Sequence, residues 1–378
     1  MTLPLSILDL IPIPNGGGGI EAVQNTLALA QLGEALGYQR YWLAEHHNFV
    51  GLAAVAPEVL IGVIARETQR IRVGSGGILL PNYAPLKVAE TFRTLEALVP
   101  GRIDLGIGRA PNQDKRTALA LRGSEAALTA ADDIARLLVE LEGFAEVGPS
   151  AFPAGHPLYD IIAAPEGVPF PPIWLLGSGQ LSGQLAAVRG RGFGAAYHFS
   201  PVEATKAIPA YKAAFQPSAY LAHPYAILCV SVICAESQEA AETLKVTADL
   251  TTLRRQKGER GAPPTPAEAD AYAFSPEELE KLRPFAPIYG DPDGVRQTLT
   301  ELTTSLGADE LMIVTNISDQ AARRRSYELL AETFGLRPER WSGAAVTYHN
   351  GSSLCERRPT QGVLNRQLRN VYCYELLL

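Results

Sequence analysis

Tyr41-Trp42-Leu43-Ala44-Glu45-His46-His47-Asn48 is the stretch on which a reading of this chain turns. Mostly apolar residues run straight into an acid, two imidazoles and an amide, the pattern of a buried strand that delivers polar groups to its carboxyl end. In α/β proteins that end is where ligands are held. Working outward, residues 5–9 read as an earlier strand, followed by a Pro/Gly loop (Pro12, Pro14, Gly16 to Gly19) and a helix over 21–36 that stops at Gly37. Pro57 opens a helix running to Arg66 that is apolar almost all round, which leaves two readings open, deep burial or a subunit interface.

The rhythm then repeats at about 30 residues, with strands at 71–78 and 103–109 and helices at 87–98 and 126–141. After a proline-rich connection over 147–172 it resumes, with strands at 171–176, 193–197, 225–234 and 310–314 and helices at 180–189, 202–215, 239–255, 292–304 and 320–334. Eight strands alternating with helices predict an α/β fold, a (β/α)8 TIM barrel forming one domain over residues 1–340, with an insertion or lid near 258–287. A doubly wound open sheet is the runner-up. It lacks support because Gly16 to Gly19 has the wrong spacing for a dinucleotide fingerprint. Residues 341–378 lose the amphipathic period and read as a C-terminal extension of unknown role, or the product of an altered reading frame.

Composition narrows the function. The 378 residues carry 33 Lys+Arg against 40 Asp+Glu, a formal charge of −7. No basic field is present for a nucleic-acid backbone. No apolar run is long enough to span a bilayer, and the first basic residue is Arg40, so neither a membrane span nor a signal peptide is expected. Four cysteines without CxxC spacing fit a reducing cytoplasm.

Several strand ends hold uncommon residues: Glu45-His46-His47, Gly74 to Gly77, Gly106 to Arg109, and His198. His46 and His47 admit three readings: a metal pair, a structural pair, or a catalytic or substrate-binding imidazole. Adjacent side chains on an extended segment face opposite ways, which disfavours a shared ion, and no metal site is expected. Glu45, His47, Asn48 and His198 are candidate substrate contacts. The glycines at 74, 76 and 77 either ease packing or leave room for a planar cofactor. Arg109, Gly177, Ser178, Gly179 and Ser182 combine a guanidinium, hydroxyls and a helix start, either a phosphate site or an ordinary helix cap with a surface arginine.

At these residues the chain resembles the luciferase-like flavin-dependent monooxygenases. The blocks that carry the likeness are GYQRYWLAEHHN, APEVLIGVIA, RIRVGSGGILLPNYAPLKVAE, TLEALVPGRIDLGIGRAP, PIWLLGSGQLSGQLAA and GADELMIVTNISDQAARRRSYELLAE, spread over residues 3–336. The resemblance implies a barrel binding reduced FMN, with His46 beside the flavin ring, Gly76-Gly77 as a pair that often forms a non-prolyl cis peptide under it, and Arg109, Ser178, Gly179 and Ser182 around the phosphate. It implies oxidation of a small carbonyl-type substrate by O2 through a flavin peroxide, with His46 as proton donor. It also implies a homodimer and a separate NAD(P)H-dependent flavin reductase that supplies the reduced cofactor. Gly108 stands where bacterial luciferase has a cysteine, so light emission is not implied. Two alternatives remain: deazaflavin-dependent hydride transfer, and a barrel that binds flavin without turnover.

Overall fold

The computed structural model describes residues 3–14, 16–49, 51–108, 115–123, 134–146, 152–259 and 263–338. Parallel strands β1 (Leu5–Asp9), β2 (Arg40–Leu43), β3 (Arg72–Leu79), β4 (Ile103–Gly108), β5 (Ile173–Gly177), β6 (Gly192–Ala196) and β7 (Ala226–Cys234) stand in sequence order. A later strand, β9 (Glu310–Val314), pairs with both β7 and β1 and closes the ring of eight. Residues 288–290 form β8 (Ile288–Gly290), which adds to the carboxyl end of β7 beside that ring.

The outer layer comprises α1 (Gly19–Leu36), α2 (Pro57–Glu67), α3 (Pro85–Leu98), α4 (Lys115–Arg122), α5 (Ile134–Ala145), α6 (Gln180–Val188) and α7 (Pro201–Ala214). It continues with α8 (Gln238–Gln256), α9 (Pro266–Asp270), α10 (Pro276–Leu282), α11 (Pro292–Leu306) and α12 (Gln320–Phe334). Local chemistry sets the boundaries. Proline opens α2, α3, α7 and α11, where its missing N–H costs nothing. Gly37 ends α1 at φ 93°, a left-handed turn that a side chain would resist.

The interior alternates with the outer face along every strand. Outward residues such as Ile7, Leu43, Val73 and Leu105 pack under the helices. Inward residues Leu8, Trp42, Trp174, Ile227, Cys229 and Met312 form a separate core inside the barrel. The two indoles meet edge to face at 5.6 Å. Glycines opposite make room for them: a Cβ at Gly192 would lie 2.3 Å from the Trp174 ring, and one at Gly74 2.9 Å from Trp42 Nε1.

Beneath this plug lies a buried charged layer. Arg40 donates to Asp104 at 2.8 Å and to Glu310 at 3.1 Å, Arg72 reaches Asp104 at 2.6 Å, and Trp42 Nε1 donates to Asp104 at 3.1 Å. Burial alone would raise the Asp104 pKa, but Arg72 and Arg40 overcome it and hold it at about 2. A second buried pair joins β1 to α12. Arg323 of α12 lies 2.6 Å from Asp9 of β1, whose carboxylate also accepts from Thr26, Tyr41 and the Ile11 N–H.

The structure departs from the expected elements in a few places. α4 and β8 were not expected; the helix foreseen over 126–141 is observed as α5 over Ile134–Ala145, with residues 124–133 outside the described set. Much of the segment foreseen as an insertion or lid, 258–287, is helical. Thr265 and Ser275 start α9 and α10 with capping boxes closed by Glu268 and Glu278, and Ala269 and Leu282 pack on Leu250 and Leu253 of α8. On α2, Ile61 and Ile64 are buried, while Val59 and Val63 are exposed. Among the described residues no helix is long and apolar enough to cross a membrane.

Arg323→Met would leave the Asp9 carboxylate buried without its countercharge. Urea denaturation is expected to show a loss of about 3–5 kcal/mol, partly recovered in the Asp9→Asn/Arg323→Met double variant.

Candidate active site

β2 leads directly into the residues singled out above. Glu45 is buried, and both its oxygens are engaged: Oε2 accepts from the Leu79 N–H at 2.8 Å, while Oε1 accepts from the Tyr83 hydroxyl at 2.9 Å and lies 2.6 Å from His47 Nε2. Burial, and then the Glu45 charge, push the Tyr83 hydroxyl well above its ordinary pKa, so it remains a donor. Glu45 thereby locks the end of β2 to the end of β3 and draws His47 toward itself. The histidine pair is split, because His46 lies with its ring 6.1 Å from that of Phe49 and its backbone N–H bonded to Ala54 at 2.7 Å. Asn48 adopts φ 54° and donates to Thr117 of α4 at 3.0 Å.

On β3 the Gly76–Gly77 peptide is cis. The pairing of β3 with β4 shifts by one residue between Ser75 and Ile78, which places a bulge at the glycine pair. The barrel's own atoms crowd these positions: a Cβ on Gly76 would lie 2.5 Å from Leu8, and one on Gly77 2.6 Å from the Gly106 carbonyl. Packing alone therefore requires glycine at 77, against the Gly106 backbone, and at 76 a side chain would displace the tip of Leu8.

β5 runs through Gly177-Ser178-Gly179 into α6. No side chain caps this helix start, and Gly179 has open space where a Cβ would stand. Ser182, in the first turn, is 3% exposed with its Oγ lacking a hydrogen-bond partner, and its Oγ lies 2.3 Å from where a Gly177 Cβ would be. Free amide N–H groups, a bare glycine edge and an unsatisfied hydroxyl form a cradle suited to an anion. Arg109, expected beside this cradle, lies outside the described residues.

His198 follows β6. Its backbone N–H at 3.1 Å and its Nδ1 at 3.2 Å both meet the Cys229 carbonyl, which can only accept, so Nδ1 carries the proton and Nε2 keeps a lone pair. Burial, with the nearby His46 charge adding to it, lowers the His198 pKa to about 4. Phe49 and Phe199, which sequence reading passed over, place exposed rings beside the two imidazoles; Phe199 lies 4.4 Å from the His198 ring. Their position directly after the polar strand ends was the available signal.

The family model described as luciferase-like monooxygenase matches residues 3–310. A luciferase-like monooxygenase from Escherichia coli is 41% identical over 330 residues, covering 87% of this chain and 96% of that protein. An N-acetyl-S-alkylcysteine monooxygenase from Bacillus subtilis is 33% identical over 332 residues, covering 87% and 97%. Among solved structures, apo-MsnO8 superposes with a TM-score of 0.81 at 38% identity, covering 89% of this chain and 99% of that one. The oxygenating constituent of 3,6-diketocamphane monooxygenase from Pseudomonas putida, solved with FMN, shares the fold at a TM-score of 0.65 and 19% identity, covering 90% and 99%. The chain belongs to the luciferase-like monooxygenase family.

With His198 lowered from its ordinary 6.5 to about 4, the unfolded chain binds a proton in that interval that the folded chain refuses. Stability should therefore fall as pH drops from about 6.5 toward 4, and His198→Asn should flatten that slope in denaturation curves. Titration by NMR checks the same assignment, with the His198 ring expected to stay neutral at pH 6.

Proposed function

We propose that the protein is an FMN-dependent monooxygenase that oxidises a small organic substrate with O2. The observation that carries this reading is the Ser182 hydroxyl, buried and unpaired beside Gly177 at the uncapped start of α6. A phosphate there would accept hydrogen bonds from the hydroxyl and from the free N–H groups of the first turn. Ser178 and Gly179 complete that cradle, with Arg109 following β4 as the countercharge. Gly76-Gly77 offers backbone, not side chains, for a flat ring to rest on. Reduced FMN, when bound, supplies the electrons that activate O2 for transfer of one oxygen atom.

The chain's own residues then do three things. Phe49 and Phe199 cover the mouth with apolar rings and limit water there. His46 holds a proton at a ring nitrogen and delivers it to the oxygen that leaves. Glu45, by clamping β2 to β3 through Leu79 and Tyr83, fixes the segment on which His46 stands. A separate NAD(P)H-dependent reductase delivers the reduced flavin, and Val55, Val59 and Val63, all exposed, supply the apolar face of a homodimer.

An anaerobic titration with reduced FMN, run in parallel with reduced deazaflavin, is the deciding test. Tight and selective FMN binding, weakened by Ser182→Val, is the expected result. Preference for deazaflavin would replace oxygenation with hydride transfer, and binding of neither would leave a barrel without this chemistry. With FMN bound, His46→Ala should keep flavin affinity and lower kcat about 10²-fold or more. Sedimentation at micromolar concentration should show a dimer that Val59→Glu dissociates; a wild-type monomer would remove the interface.

A further inference from the structure

Between β9 and β1, on the carboxyl face of the barrel, lies a cleft of about 430 Å³. That is within the size range of small-molecule sites. Its walls differ in character. Pro12, Ile13 and Pro14 of the β1–α1 loop, Leu244 of α8, and Pro263 and Pro266 at the start of α9 make a rigid apolar side. The β9–α12 loop makes a polar one, with Asn316, Ser318 and Gln320. Gln320 Nε2 is buried without a hydrogen-bond partner. The α8 threonines at the cleft do not compete as donors, since Thr247 and Thr251 donate to the helix carbonyls of Thr243 and Thr247.

Charge sorts the ligands further. Among the described residues lining the cleft the ionisable ones are the carboxylates Glu21 and Asp319, with no lysine or arginine, so they repel an anion. Asp319 is already committed to the N–H of Ala322 at 2.9 Å. A neutral carbonyl oxygen answers the unpaired Gln320 amide without meeting a like charge.

The cleft is mechanically tied to His46. The Ile13 N–H donates to Gly51 at 3.1 Å, the Ala53 N–H to Ile11 at 2.9 Å, and the His46 N–H to Ala54 at 2.7 Å, so one short return segment supports both the cleft wall and the imidazole.

We propose that this cleft is the substrate pocket and that it selects an uncharged molecule bearing an amide or ketone carbonyl. The polar edge sits on Asn316, Ser318 and Gln320 and the apolar part on the prolines. The start of α9 is thereby a wall of the substrate site. The binding assignment stands on the cleft itself; only the fate of the ligand rests on the oxygenation reading above.

Ligand-observed NMR with N-cyclohexylacetamide and cyclohexanecarboxylate, on wild type and on Gln320→Leu, Asn316→Leu and Ala248→Phe, tests this, with reduced-FMN affinity measured on the same samples. The amide should bind wild type, weaken about tenfold in Gln320→Leu, and be displaced by Ala248→Phe, which fills the cleft from α8. The carboxylate should not bind, and FMN affinity should not change across the set. Equal binding of the carboxylate, or amide binding indifferent to all three variants, or no amide binding at all, overturns the proposal. Loss of FMN binding in wild type with amide binding intact would sink the flavin reading and leave the cleft standing.

Discussion

The interior of an eight-stranded barrel has a fixed and narrow cross-section, and here two indoles have to fit inside it. Trp42 and Trp174 are both fully buried. They are accommodated because β3 and β6 surrender side chains at Gly74, Gly76, Gly192 and Gly194. Large residues on some strands against none on their neighbours let the layers interlock at native density. This floor is what makes the mouth a shallow seat and not the top of a channel.

Below the floor, charge replaces hydrocarbon. Asp104 and Glu310 stand buried with Arg40, Arg72 reaches in from the partly exposed edge, and Tyr225 adds a hydroxyl to Glu310 at 2.9 Å. Such an arrangement contributes little net stability compared with an apolar equivalent, because desolvation offsets attraction. Its effect is on register. Each carboxylate is satisfied only when β2, β3, β4 and β9 stand at the observed heights, so a slipped strand leaves a buried ion unpaired.

The alternation of strands and helices was readable because each unit carries its own period and its own stop signals. The strand at 310–314 and the helix at 320–334 coincide with β9 and α12. α4 was missed because Lys115 to Arg122 is only eight residues long, and β8 because three residues carry no period. The strand ends were legible as places, since His46, His198, Gly76 and Ser182 announce themselves by type. Their partners were not. Glu45 is defined by Leu79 and Tyr83, and His198 by a carbonyl 31 residues away. Nor did the glycines reveal that their missing side chains make way for protein atoms, because cross-barrel neighbours leave no trace in local spacing.

The ion pair between Asp9 and Arg323 spans 314 positions of sequence. On a ribosome, β1 emerges with a carboxylate destined for burial long before its guanidinium exists. Nor can β1 find its second neighbour until β9 has been made. The half-barrels can collapse early, but the ring cannot shut during synthesis of its first three hundred residues. The nascent protein therefore exposes an open sheet edge at β1 for most of its translation, and that edge stays unpaired until β9 arrives.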